Sequence, residues 1–214
     1  MARVVPGILT ADEKDYARRL KLAADVCGLI QIDLVDGLFS ENKTVQSDVI
    51  AKYPTGAELE IQLMVNYPEN YIDDLGRLEY VSRIIFPLEI EGDINTYVAT
   101  IKKFDKEVGI SLNPETPILS AKHYLCDIDL LLLMTGTPGY SGQKLGEDTY
   151  KRIEEVKSID SDIQLEIDIG VNFENAARLA AAGADFLVAS SALYGAPDFG
   201  GAYERLAKLA ADGE

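Results

Sequence analysis

Two aspartates of the sequence lie inside apolar runs, where a charged side chain is unusual. Asp33 stands in Ile-Asp-Leu and Asp168 stands in Ile-Asp-Ile. Because an ionised carboxylate in such surroundings is costly unless it is paired or used, each aspartate suggests a specific task. For one aspartate alone, capping of the next helix is as good an explanation as catalysis. Two of them together favour a functional role at a site over a structural one.

Glycine and serine are concentrated at three further points, which are the segment Gly136–Gln143, Gly170, and the pair Ser190 and Ser191. Backbone N–H groups of such loops, placed at the starts of helices, hold phosphate without Lys or Arg. We therefore predict an anion-binding site there, although the same glycines would also suit ordinary turns.

The elements that position these residues are short runs rich in Ile, Val and Leu. The runs alternate little between polar and apolar residues, as expected of parallel strands buried on both faces. Eight strands are predicted: Val4–Leu9, Leu29–Leu34, Glu60–Val65, Tyr80–Pro87, Gly109–Leu112, Leu130–Thr135, Ile163–Ile169 and Phe186–Ala189.

Helical patterns separate the strands and have recognisable starts. Thr10 and Glu13 have the spacing of a capping box before a helix over Ala11–Val26. Pro68 and Pro117 stand where helices would begin. Asn172 is predicted to cap a helix over Phe173–Ala182 that ends at Gly183.

Eight strand–helix units without a linker predict one domain over residues 1–214, an α/β fold of the (β/α)8 TIM-barrel type. The alternative is an open flavodoxin-like or Rossmann sheet, but no GxGxxG follows the first strand. In a barrel the second and seventh strands are roughly 135° apart, so the two aspartates would face a ligand from different sides. Functional groups are expected at the carboxyl ends of the strands: Gly7, Thr10, Gln31, Asp33, Asp36, Gln62, Met64, Asn113, Met134, Asp168, Gly170, Ser190 and Ser191.

The composition restricts the class of ligand. A formal charge of −16 argues against nucleic acid, because a polyanion would be repelled over most of the surface. The longest apolar runs are strand-sized, and two cysteines are too few for a disulfide framework. We expect a soluble cytoplasmic protein that binds a small phosphorylated molecule.

His123 is the only histidine of the chain and is predicted to lie in an outer helix, so Ser–His or Cys–His catalysis is not expected. Met64 and Met134 suit packing better than a cofactor site, although both are placed to line the pocket.

Several ordered stretches at strand ends resemble the ribulose-phosphate 3-epimerase family from about Pro6 to Gly195. They are Pro6–Thr10, Gln31–Gly37, Gln62–Val65, Ser111–Pro117, Met134–Gln143, Glu166–Val171 and Val188–Ala192. The resemblance implies a barrel of the ribulose-phosphate-binding type. It also implies interconversion of ribulose 5-phosphate and xylulose 5-phosphate, in which one aspartate removes the C3 proton and a second returns a proton from the opposite face.

By position in the resemblance, the catalytic roles fall to Asp33 and Asp168. The substrate-binding positions it implies are Gly7, Gln31, Gln62, Met64 and Met134. The phosphate would be bound by Gly139, Ser141, Gly142, Gly170, Ser190 and Ser191.

The chain departs from the family's pattern where a metal is expected. The family holds a divalent metal through two histidines and the two aspartates, and both histidine positions are glutamine here, Gln31 and Gln62. Gly7, Ile169 and Ser190 also replace a serine and two glycines of the pattern. Because a neutral amide oxygen is a poor ligand for zinc or iron, we expect no metal or other cofactor at Gln31, Asp33, Gln62 and Asp168. Whether a divalent cation binds weakly at Asp33 and Asp168 stays open.

Glutamine offers a replacement for the metal. Its amide N–H groups can donate hydrogen bonds to the enediolate, and preorganised donors of this kind are worth ~3–4 kcal/mol each. Two neighbouring carboxylates without a cation also repel each other, which raises one pKa and keeps a proton on the pair.

The sequence therefore predicts an isomerase of carbohydrate metabolism, a ketose-phosphate epimerase that works by two-aspartate proton transfer. A catalytically silent barrel that binds a sugar phosphate or a partner protein is the alternative. A related barrel decarboxylase ranks last, because Glu60–Val65 lacks the lysine of an Asp-x-Lys-x-x-Asp cluster. The exact ketose phosphate and the oligomeric state, including a homo-oligomer, stay open.

Overall fold

Eight short strands pair in chain order and close into a parallel barrel in the computed structural model, which describes residues 1–213. This confirms the predicted (β/α)8 TIM barrel. The strands are β1 Arg3–Ile8, β2 Leu29–Val35, β3 Glu58–Met64, β4 Val81–Pro87, β5 Glu107–Leu112, β6 Leu130–Met134, β7 Gln164–Asp168 and β8 Phe186–Ala189.

The predicted strand bounds differ from these by at most two residues. The largest differences are at the starts of β3 and β5, where exposed Glu58 and Glu107 precede the buried residues. An apolar pattern detects the buried part of a strand, whereas backbone pairing continues into its polar end.

Helices follow most of the strands around the outside of the barrel. They are α1 Glu13–Ala24, α2 Ser47–Ala51, α3 Glu69–Gly76, α4 Ile94–Lys102, α5 Thr149–Ile159, α6 Ala176–Ala181, α7 Ser191–Tyr194 and α8 Phe199–Ala211. None of the helices in residues 1–213 is long and apolar enough to cross a membrane.

The predicted cap of α1 is wrong. Asp12 occupies the N-cap, and its carboxylate accepts a hydrogen bond from the N–H of Asp15 at 2.8 Å. Thr10 Oγ1 accepts instead from the N–H of Asp12 at 3.2 Å, which makes a turn before the helix. The helix therefore covers Glu13–Ala24 rather than Ala11–Val26.

The start of α6 also differs from the prediction. Asn172 forms a turn in which its Oδ1 accepts from the N–H of Glu174 at 2.8 Å, and Asn175 occupies the N-cap. The preference of Asn for local bonds to the backbone serves turns as well as caps, so the residue type does not separate the two. Gly183 follows the helix with φ +114°, in the left-handed conformation expected after a C-terminus.

The predicted helix around His123 is absent. Two short 3₁₀ helices, Ile118–Ala121 and Leu125–Asp127, connect β5 to β6, and His123 lies in the exposed turn between them. Pro117 precedes the first of these, whereas Pro68 precedes α3 as predicted. Buried residues spaced three and four apart fit either helix type, so the pattern alone does not choose between them.

Polar residues enter the barrel interior on alternate positions of β2, β3 and β7. Below the carboxyl ends, Arg83 of β4 donates to Glu60 at 2.7 Å and to Glu107 at 2.6 Å, and lies 3.9 Å from Glu166. The next inward positions on β3 and β7 are Gln62 and Asp168. The barrel thus places a buried charged layer directly beneath the candidate site.

Candidate active site

A cavity opens at the carboxyl ends of the strands. Most of the predicted site residues line it: Asp33, Met64, Met134, Gly139, Ser141, Gly142, Asp168, Gly170, Ser190 and Ser191. Gly7, Gln31 and Gln62 lie outside the lining. Leu9, Tyr140, Ile169, Val171 and Val188 also line the cavity and were not predicted as site residues.

Asp33 and Asp168 are almost completely buried, with 6% and 8% of their surfaces exposed. Gln31 Nε2 donates to Asp33 Oδ1 at 2.8 Å, and the backbone N–H of Ile169 donates to Asp168 Oδ1 at 2.7 Å. Each carboxylate therefore has one oxygen fixed by a donor from its own strand or the residue next to it. Asp33 Oδ2 receives no hydrogen bond from either glutamine and is left for proton transfer.

The two glutamines lie between the acids as a connected pair. Gln31 Nε2 is 3.0 Å from Gln62 Oε1. The orientation of a side-chain amide follows from the surrounding donors and acceptors. With its O and N exchanged, the Gln62 amide donates both to Asp33 Oδ1 at 3.0 Å and to Asp168 Oδ2 at 3.1 Å. A single amide group is therefore within hydrogen-bonding distance of both acids.

Burial is the largest cause of the raised pKa of both acids. The pKa of Asp33 lies well above its usual range because of burial and the negative charge of Asp168. Burial raises the pKa of Asp168 to about 6, against the hydrogen bonds from Ile169 and Gln31. The charge of Glu60 in the layer below raises the pKa of both acids further. Burial and the repulsion between the two carboxylates thus both favour retention of a proton by the pair.

Ile169 has a backbone conformation that is rare for a β-branched residue, with φ +77°. Thr135 Oγ1 donates to the carbonyl oxygen of Ile169 at 2.6 Å. The backbone N–H of Ile169 donates to Asp168 Oδ1. Such a conformation costs about 1–3 kcal/mol and persists only where surrounding bonds enforce it. The strained residue thus fixes the orientation of the Asp168 carboxylate and forms one wall of the cavity.

The predicted phosphate-binding residues lie together on one side of the cavity. Gly139, Gly142 and Gly170 all have φ between +77° and +83°, and a side chain on Gly170 would collide with the backbone of Leu145. Ser190 precedes α7, and its buried Oγ has no hydrogen-bond partner among the described residues. These loops bring backbone N–H groups and one unpaired hydroxyl to the same wall.

Gly7 pairs in register with Gln31 and lies beneath the cavity. A Cβ on Gly7 would be 2.8 Å from Val188 Cγ1. Close packing against β8 therefore explains why position 7 is glycine. The contact of Gly7 with a substrate remains a prediction.

The donor set at the acids is unlike that expected of a transition-metal site. It consists of two carboxylates and two amides, and Gln31 donates to Asp33 in either orientation of the Gln62 amide. In residues 1–213 no group of three or more His, Cys, Asp or Glu side chains is arranged to hold a metal ion. Neutral amide oxygens are poor ligands for zinc and iron, so the chemistry of these donors favours hydrogen bonding.

Comparisons with known proteins agree with this barrel fold. The model of the "Ribulose-phosphate 3 epimerase family" matches residues 3–194. The chain is similar to ribulose-phosphate 3-epimerase of Bacillus subtilis, with 33% identity over 208 residues that cover 92% of this chain and 94% of the relative. The enzyme of the same name from Serratia marcescens is 32% identical over 207 residues, which cover 92% and 97%.

Among solved structures, a 3-hexulose-6-phosphate synthase superposes with a TM-score of 0.70 at 16% identity, covering 97% of this chain and 99% of that one. At this identity the likeness concerns the fold alone.

Proposed function

The chain belongs to the ribulose-phosphate 3-epimerase family, and we propose that it epimerises ribulose 5-phosphate and xylulose 5-phosphate, or a related ketose phosphate, without a metal. The observation that carries the proposal is the pair of buried carboxylates, Asp33 and Asp168, with one amide group within bonding distance of both. Burial raises the pKa of both acids, and the negative charge of Asp168 raises that of Asp33 further, which favours the single proton on the pair that epimerisation requires.

The proton transfer follows from this arrangement. Asp168 removes the proton from the carbon next to the ketone, and the electron pair of that C–H bond forms the enediolate. Asp33 then donates its proton to the same carbon from the opposite face, which gives the epimer. The two acids end with their protonation states exchanged, so the reverse reaction uses the same groups in opposite roles.

The developing charge on the ketone oxygen needs a donor. The amide N–H groups of Gln31 and Gln62 are the nearest neutral donors to the acids. Both side chains are fully buried, and in the ligand-free protein their N–H groups are bonded to the acids, to each other or to Met134, so substrate binding would have to turn an N–H towards the ketone oxygen. Hydrogen bonds in such a water-poor site stabilise an oxyanion strongly. The glutamines would therefore carry out the stabilisation that a Lewis acid provides in a metal-dependent site.

Substrate orientation is assigned to the wall of glycine and serine residues. The phosphate would lie against the loops that contain Gly139, Ser141, Gly142, Gly170, Ser190 and Ser191. Met64 and Met134, which are nearly fully buried, line the cavity next to the acids and exclude water from the enediolate.

The experiment that tests the proposal is conversion of ribulose 5-phosphate to xylulose 5-phosphate, followed by NMR from pH 5 to pH 9. We expect kcat/KM to be highest near neutral pH and to fall below about pH 6. At that pH Asp168 becomes protonated and can no longer accept the substrate proton. Activity is expected to fall again at high pH, where Asp33 loses its proton. Binding without conversion at any pH would instead identify a catalytically silent sugar-phosphate-binding barrel.

A further inference from the structure

A loop that leaves β2 crosses the open end of the barrel. This segment, Gly37–Asn42, is called the strap. Ser40 Oγ donates to the carbonyl oxygen of Pro138 at 3.0 Å, and Asn42 Nδ2 donates to that of Gly139 at 2.6 Å. Because β2 and β6 are four strands apart in a closed barrel of eight, these bonds join opposite sides of the mouth.

The strap is held in one shape by bonds at its base. Asp36 and Lys43 form an antiparallel bridge that closes the loop. Asp36 Oδ1 accepts from the N–H groups of Leu38 at 2.7 Å and Phe39 at 3.0 Å. The strap therefore presents Ser40 and Asn42 from a fixed frame, independently of any ligand.

The segment that the strap contacts, Gly136–Gln143, is called the β6 loop. Gly139 is buried there with φ +83°, and a Cβ on it would be 2.8 Å from Ser40 Oγ. On the other side of the loop, Gln143 accepts from the N–H of Thr137 at 2.9 Å and donates to the carbonyl oxygen of Tyr140 at 2.7 Å. The loop is thus fixed from both sides.

The hydrogen bonds from the strap go to the carbonyl oxygens of Pro138 and Gly139, and this fixes the direction of the peptide N–H groups that follow them. A carbonyl that points to the strap leaves the following peptide N–H groups turned away from it. Gly139, Tyr140, Ser141 and Gly142 all line the cavity that contains the acids. The strap contacts therefore orient the part of the β6 loop to which the phosphate is assigned.

We propose that Ser40 and Asn42 form a latch that holds the β6 loop in its phosphate-binding conformation before substrate arrives. They are positioning residues, since they act through the loop and do not line the cavity. The identity of the ligand rests on the proposed function, whereas the latch itself is a property of the free protein. Ordering the loop in advance raises affinity by removing the entropic cost of ordering it on binding.

The test uses Asn42→Asp, alone and with Ser40→Ala. Aspartate keeps the oxygen that accepts from the N–H of Lys43 at 2.9 Å but cannot donate to Gly139. Hydrogen exchange of the β6 loop in the ligand-free protein is expected to become about tenfold faster, since each lost bond contributes a modest net stability. Asn95→Asp, an exposed residue of α4, makes the same chemical change away from the site and is the control.

Calorimetry with inorganic phosphate and with ribulose 5-phosphate provides the second measurement. We expect about tenfold weaker binding of both and a raised KM, with kcat changed less than about twofold. Unchanged exchange in the double variant would overturn the latch. Faster exchange with unchanged affinity would overturn its role in phosphate binding. Faster exchange in a protein that binds neither compound would refute the proposed function and leave the latch intact.

Discussion

Replacing either Asp33 or Asp168 by asparagine is expected to lower the conversion of ribulose 5-phosphate by about 10²- to 10⁴-fold. This is the range that general acid–base groups contribute. Asparagine keeps the size of the side chain and its hydrogen-bonding oxygen, so Gln31 and the N–H of Ile169 retain an acceptor. It cannot accept or release the transferred proton. NMR of both epimers measures the conversion rate.

The control for these variants is Asp12→Asn, because asparagine caps a helix as well as aspartate does and Asp12 does not line the cavity. In each active-site variant, any residual exchange of the substrate hydrogen with solvent should be confined to one epimer, the one whose hydrogen faces the remaining aspartate. Conversion at more than a tenth of the native rate in either variant would contradict the two-aspartate mechanism.

Replacing Gln62 by methionine is expected to lower kcat by about 10²- to 10³-fold, the effect of removing one preorganised donor to an oxyanion. Methionine has a similar length and can keep the contact with Met134, but it has no N–H group. Because the lost interaction forms only as charge develops, kcat and kcat/KM should fall together with little change in KM.

Two further variants make the test of Gln62 sharper. Gln62→Glu keeps the shape and oxygen but replaces the donor with a third buried carboxylate beside the acids, so it should be at least as damaging. Gln164→Met changes the same residue type at the exposed start of β7, where Gln164 accepts from Arg83 at 3.3 Å, and should leave kcat within about twofold. Native turnover in both Gln62 variants would show that the enediolate is stabilised by another group.

The fold could be predicted from the sequence because the strands of a TIM barrel are buried on both faces. Runs such as Leu130–Met134 contain no polar residue, so the number and order of the strands can be read from the apolar pattern. The same burial makes Asp33 and Asp168 conspicuous among their apolar neighbours. Strand order alone predicts that the two acids face a ligand from different sides of the barrel, whereas the amide between them depends on distances that the sequence does not contain.

Other features of the site could not be predicted from the sequence for physical reasons. Isoleucine is a favoured strand residue, so its residue type gives no indication that Ile169 has a positive φ. The latch joins residues almost one hundred positions apart through contacts with backbone carbonyls, which any residue type provides. The prediction of a cap at Thr10 was wrong because a hydroxyl bonds a nearby N–H both in a cap and in a turn.

The most direct test of the account is solvent deuterium incorporation at C3 of ribulose 5-phosphate by protein exhaustively treated with a chelator. The account predicts incorporation and epimerisation at the same rate before and after chelation, and no stimulation by added zinc, iron, manganese or magnesium. Loss of both on chelation, with recovery on adding a metal, would contradict a metal-free site built from Asp33, Asp168 and two glutamines.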